Sequence, residues 1–163
     1  MSRFASSEDK IHDPARGDVA RWIADFPRPL VFTNGCFDLL HRGHVAYLEQ
    51  AAALGESLIV GVNDDASARA QGKRPPRPVT PLADRMALLA ALAAVDGVVA
   101  FAAPTPLALI ERIAPDHLVK GGDWPPERIV GAEQVIARGG EVHSLPFRFQ
   151  RSTSELIERI RSV

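Results

Sequence analysis

Twelve consecutive residues concentrate groups that can do chemistry: Thr33-Asn34-Gly35-Cys36-Phe37-Asp38-Leu39-Leu40-His41-Arg42-Gly43-His44. His41 and His44 stand three apart, a spacing that puts both on one face of a first helical turn. Gly43 removes a side chain between them, so a ligand can approach the backbone. Such a pair is open to three readings: solvated histidines at a helix cap, a metal pair, or a phosphate site. The metal reading lacks a third Cys, His or carboxylate at a familiar ligand spacing, and no metal ligand is assigned. Cys36 is open to two readings, a nucleophile or a small residue beneath the turn, and its size is the simpler reason for it.

The elements around this stretch favour the phosphate reading. An apolar run, Leu30-Val31-Phe32, precedes it, and a helical pattern from Val45 to Leu54 follows. Strand, Gly-containing turn and helix start in that order present free N–H groups and a positive helix end to an anion. Asn34-Gly35-x-Phe37-Asp38-x-x-His41-x-Gly43-His44 resembles the HxGH signature of the nucleotidyltransferase superfamily, in the form of its cytidylyltransferase-like branch. The resemblance implies that His41 and His44 act on the phosphates, with Asn34, Gly35, Cys36, Phe37, Asp38 and Gly43 around the nucleotide. Asp38 either orients the turn or caps it. In resembling families the position of Cys36 accepts different small residues.

Composition sets the frame. The chain has 163 residues, most simply one domain, with a loosely held N-terminal segment over 1–15 and the folded domain over 16–163. Its 19 basic and 20 acidic residues leave a net charge of -1, so nucleic acid is not an expected partner. No apolar run approaches a membrane span, and residues 1–10 lack a signal-peptide core. The single cysteine excludes an internal disulfide. These features together favour the cytoplasm.

Further along, 19–26 reads as a short amphipathic helix and 57–62 as a buried strand. Ala70 to Pro78 reads as a basic, Gly- and Pro-containing loop, and 81–95 as a helix with an apolar stripe. Strands follow over 97–101, 116–120 and 141–145, and helices over 105–113, 126–138 and 155–161. His12, His117 and His143 read as ordinary surface residues. Alternating strands and helices imply an α/β fold, a Rossmann-like doubly wound sheet of about five parallel strands with helices on both faces. Ligands in such sheets bind at the carboxyl ends of the strands.

The resemblance extends from residue 30 to 161. The loop with Lys73 and Arg77 resembles the substrate loop of heptose-1-phosphate adenylyltransferases, which puts Lys73, and with it Arg77, on phosphates. Asp84-Arg85 resembles a pattern at a helix start that contacts the nucleotide side in the cytidylyltransferase-like branch. Leu118-Val119-Lys120-Gly121-Gly122-Asp123 resembles the heptose adenylyltransferase group, implying ligand roles for Lys120, Gly121 and Asp123. Lys120, at the end of a buried strand, either points into the crevice or pairs with a carboxylate such as Asp116 or Asp123. Ser152-Thr153-Ser154 resembles the superfamily's second phosphate signature, and Arg151 before it departs from that pattern. The cap reading of these hydroxyls stands beside the phosphate one.

The chemistry so implied is attack of a sugar 1-phosphate oxygen on the α-phosphate of ATP, with Mg²⁺ on the triphosphate and pyrophosphate leaving. The runner-up is a cytidylyltransferase for glycerol 3-phosphate or a related alcohol phosphate. A nucleotide-binding module without turnover is the reading from another class. The resembling domain is often fused to a sugar kinase; the length here implies the stand-alone form, and relatives imply a homodimer or higher homo-oligomer.

Overall fold

The computed structural model describes residues 6–13, 17–73 and 76–163. Five strands, β1 (Leu30–Gly35), β2 (Ser57–Asn63), β3 (Gly97–Phe101), β4 (His117–Gly121) and β5 (Glu141–Leu145), form one sheet. Their order is β3-β2-β1-β4-β5 and every pairing is parallel. The chain winds outward from β1 in one direction and then in the other. The switch therefore falls between β1 and β4, where a crevice opens beyond the strand ends.

Alternation within the strands divides the core in two. Val31, Leu58, Val60, Val62, Val98 and Val119 face α2 (Arg42–Ala52) and α4 (Leu82–Ala90), meeting Leu48, Met86 and Leu89. Leu30, Phe32, Ile59, Val99 and Leu118 face the other way. They meet α1 (Val19–Ile23), α5 (Leu107–Ile113) and α6 (Ala132–Ala137) through Ile23, Ile110 and Val135. Short apolar runs sit in this sheet because both faces of its middle strands are covered. α3 (Asp65–Ala70) follows β2, and α7 (Thr153–Arg161) closes the chain. No helix among the described residues is long and apolar enough to cross a membrane.

One helix is added and two expectations change. Asp65–Ala70 is helical, capped by Asp64, whose carboxylate accepts the Ser67 N–H. The helix expected over 126–138 is a single 3-10 turn, Pro126–Arg128, and then α6. The break is Gly131, at φ 88, where a Cβ would stand 2.7 Å from Ile110 Cδ1. The N-terminal segment is docked over the residues described. Ser7–Lys10 form a 3-10 turn, and Lys10 Nζ donates to the Leu92 and Val95 carbonyls. Ile11 makes a parallel bridge to Val98, and the His12 N–H donates to the Val98 carbonyl. Residues 1–5 and 14–16, and Arg74 and Pro75 of the basic loop, lie outside the described residues.

Candidate active site

A cavity of about 290 Å³ occupies the switch point. The turn after β1 contributes Asn34, Gly35, Cys36, Phe37 and Asp38, and α2 contributes His44 and Tyr47. Asn63 comes from the end of β2, Lys120 and Gly121 from the end of β4, and Thr153 from the start of α7. Lys73 and Arg77 reach it from the loop. Residues far apart in sequence meet because parallel strands deliver all their carboxyl ends to one side.

The histidine pair is held by its own helix start. His41 is the N-cap of α2, and its Nδ1 accepts the Gly43 N–H at 3.1 Å. An accepting Nδ1 places the proton of the neutral ring on Nε2, where it can be donated. The His41 and His44 rings stack 3.8 Å apart at 20°. A Cβ on Gly43 would lie 3.0 Å from the His41 ring, so any larger residue there would push that ring a few tenths of an ångström off the helix. Burial and then the Arg151 charge lower the His41 pKa. Burial and then the His41 charge take His44 down to about 4. Both rings are therefore neutral donors near neutral pH. His44 Nδ1 is buried with no partner among the described residues, which leaves Nε2 as the nitrogen a ligand could reach.

The opposite wall is cationic. Lys120 ends β4 inside the cavity, and burial and then the Lys73 charge lower its pKa. Among the described residues no carboxylate pairs with it: Asp116 pairs with Arg28, and Asp123 is exposed and off the cavity. Two lysines lining one cavity with no carboxylate pairing Lys120 among the described residues make an anion the favoured occupant. Arg77 donates to Ser154 Oγ, while its Nε is buried and unpartnered. Asp38 is the one carboxylate among the lining residues, and its oxygens are spent on the Val79 and Thr80 N–H groups at 2.8 to 3.0 Å. The lining thus holds no free carboxylate for a cation, and a divalent ion fits here as part of the triphosphate it accompanies.

Several expected contacts fall elsewhere: His41, Gly43, Arg85, Asp123, Arg151, Ser152 and Ser154 do not line the cavity. Arg85 does not meet the cavity. It is fully buried behind the turn, donating to the Cys36 carbonyl at 2.6 Å, the Thr80 carbonyl at 3.0 Å and Asp65 Oδ1 at 2.8 Å. Of the last cluster, Ser152 is the exposed cap of α7, its Oγ accepting the Glu155 N–H. Thr153 faces the cavity, Ser154 holds Arg77, and Arg151 is exposed, donating to its own neighbour's carbonyl. Sequence reasoning missed Asn63, Gln71, Tyr47 and Phe147 as lining residues. Asn63 carried a signal, a polar residue at the end of an apolar strand. Phe147, whose ring covers Gly121, carried none.

The model of the cytidylyltransferase-like family matches residues 32–159. The chain belongs to that family. Among cytidylyltransferase-like relatives, the D-beta-D-heptose 1-phosphate adenylyltransferase of Bordetella bronchiseptica is 48% identical over 96% of this chain and 97% of its own. The bifunctional protein HldE of Halorhodospira halophila is 59% identical over 97% of this chain, which spans only 33% of that protein. The lipopolysaccharide core biosynthesis protein of Thermoplasma volcanium matches in structure with a TM-score of 0.59 at 28% identity, over 75% of this chain and 98% of its own.

The buried guanidinium yields one prediction. Arg85→Ala leaves the Cys36 and Thr80 carbonyls and the half-buried Asp65 without their donor, a loss of roughly 1–3 kcal/mol for unsatisfied buried acceptors. Urea unfolding should show it, and Arg85→Lys should not restore stability, since one ammonium cannot span three acceptors. His44 yields another. Its folded pKa, about 4, lies below the unfolded 6.5, so the native state binds fewer protons between those values. Stability from this ring is full above 6.5 and lost as pH falls towards 4. Denaturant titrations across that window should show a slope of up to about 1.4 kcal/mol per pH unit that His44→Gln removes.

Proposed function

We propose that this protein transfers the AMP moiety of ATP to D-glycero-β-D-manno-heptose 1-phosphate, giving ADP-heptose and pyrophosphate for lipopolysaccharide precursors. The observation that carries the reaction class is the convergence of His44, Lys73, Arg77 and Lys120 on one cavity at the switch point. The choice of sugar is supported by the name of the Bordetella relative, which matches this chain along nearly its whole length.

The acceptor phosphate oxygen attacks the α-phosphorus, and the bond to the β-phosphate oxygen breaks. The substrate brings its own nucleophile, so Cys36 has no covalent part. What the protein supplies is position and charge neutralisation. His44, with His41 stacked behind it, donates to oxygens whose charge grows in the transition state. Lys120 holds the acceptor phosphate, and Lys73 and Arg77 hold the triphosphate side from the loop. The α7 start, through Thr153, adds a positive helix end to the phosphates. Mg²⁺ enters on the triphosphate, bound by phosphate oxygens and water. We place the reaction in the cytoplasm, where ATP is available, and the protein as a homodimer or larger homo-oligomer.

The deciding assay is pyrophosphate release with ATP or CTP against heptose 1-phosphate and glycerol 3-phosphate. Turnover with CTP and glycerol 3-phosphate instead would make this a cytidylyltransferase, the second reading that the family's description favours. Binding without turnover would make it a non-catalytic module. His44→Ala should lower kcat roughly a hundredfold or more, the size of a lost transition-state donor. Lys120→Ala should raise the KM for the sugar phosphate far more than that for ATP. Removing a charge-assisted contact costs roughly 1.5–3 kcal/mol. Equal loss for both substrates, with a lowered Tm, would return Lys120 to a purely structural role.

A further inference from the structure

His117 and His143, unremarkable in sequence, meet at the amino ends of β4 and β5. This is the opposite end of β4 from Lys120, roughly 10 Å along the strand. The register pairs His117 with Glu141 and Val119 with His143. Residues two apart on a strand share a face, so His117, Glu141 and His143 project from the same side of the sheet. Their ligand atoms converge. His117 Nδ1 lies 3.0 Å from His143 Nε2. Glu141 Oε2 lies 3.4 Å from His143 Nε2 and 3.9 Å from His117 Nδ1. Both imidazoles are mostly shielded, their side chains 17% and 23% exposed, while Glu141 at 68% stays open to solvent.

These separations have a chemical meaning. Zinc bonds to imidazole nitrogen and carboxylate oxygen are about 2.0–2.2 Å, and tetrahedral bonds of that length hold ligand atoms roughly 3.3–3.5 Å apart. The three measured separations bracket that figure. One ion at their centre would touch all three groups with the strands left in place. Two nitrogens and one oxygen suit a first-row transition ion rather than Mg²⁺ or Ca²⁺, which take oxygen. A groove lined by Arg28, Asp116, Gly139 and Gly140 reaches His117 and Glu141, giving an entry path and room for water as the fourth ligand.

We propose that His117, Glu141 and His143 form a site for a divalent transition metal of the Zn²⁺ type, which fastens the edge strand β5 to β4. The same contacts without an ion would be an imidazole pair sharing a proton beside a carboxylate. Metal titration separates the two.

The test uses the full chain, stripped with a chelator and titrated with Co²⁺ in phosphate-free buffer. One equivalent should give the intense visible bands of four-coordinate Co²⁺, Zn²⁺ should displace it, and Zn²⁺ should raise the Tm. Outer partners of metal ligands alone are worth 10–100-fold in affinity, so His143→Ala should weaken Co²⁺ binding at least about tenfold. Glu141→Gln, at an exposed position that the fold does not need, should weaken it too. His44→Ala, which disrupts the other histidine pair, should keep the bands. Bands absent from the wild type, surviving in His143→Ala, or lost in His44→Ala would each overturn the proposal.

Discussion

The active-site turn depends on one residue, Thr80, whose backbone is gripped from both sides. The Thr80 carbonyl accepts from buried Arg85, and the Thr80 N–H donates to buried Asp38. Arg85 also holds the Cys36 carbonyl, and Asp38 also holds the Val79 N–H. A cation and an anion, each removed from water, are thereby satisfied mainly by backbone, which is what makes their burial tolerable. The turn after β1 cannot shift without carrying the end of the basic loop and the start of α4 with it. Asp65 brings α3 into the same unit. The backbone of the turn is therefore set before any ligand arrives, and electrostatic catalysis of the kind proposed needs such preorganisation.

That rigidity sits beside an unresolved tension in charge. The cavity gathers Lys73, Arg77 and Lys120 while its one carboxylate is spent on the loop backbone. Burial and the Lys73 charge already draw the Lys120 pKa down. The anionic substrate proposed above would offset the repulsion between Lys73 and Lys120. The same arrangement makes a neutral ligand a poor occupant, because it would leave that repulsion in place.

Much of this was legible in the sequence. The inner strands were visible because both of their faces are covered, so β1 and β2 read as short apolar runs, whereas the edge strand β5, Glu141–Leu145, has no fully buried residue. The turn was visible because Gly35, Asp38, His41, Gly43 and His44 are contiguous. α3 was not, since Asp65–Ala70 is small and polar and buries only Ser67 and Ala68. The family pattern around Asp84-Arg85 points Arg85 to the nucleotide, and the sequence carries no sign of its actual partners, Asp65 lying 20 residues away and Cys36 lying 49 away. His117 and His143 are 26 residues apart and meet only through the strand register. In each case the missing information is which distant segment lies alongside, a property of topology rather than of local pattern.

The docked N-terminal segment has a consequence for solubility. A parallel sheet ends in two strands whose outer peptide groups can recruit another chain. At β3 that recruitment is blocked: Ile11 and His12 occupy Val98, and Lys10 sets a charge against the Leu92 and Val95 carbonyls just before it. The segment works as a fragment of a sixth strand, too short to extend the sheet and charged enough to discourage stacking. A chain beginning after residue 13 would keep its catalytic cavity intact and yet present a bare β-edge, so its failure would be aggregation rather than loss of chemistry.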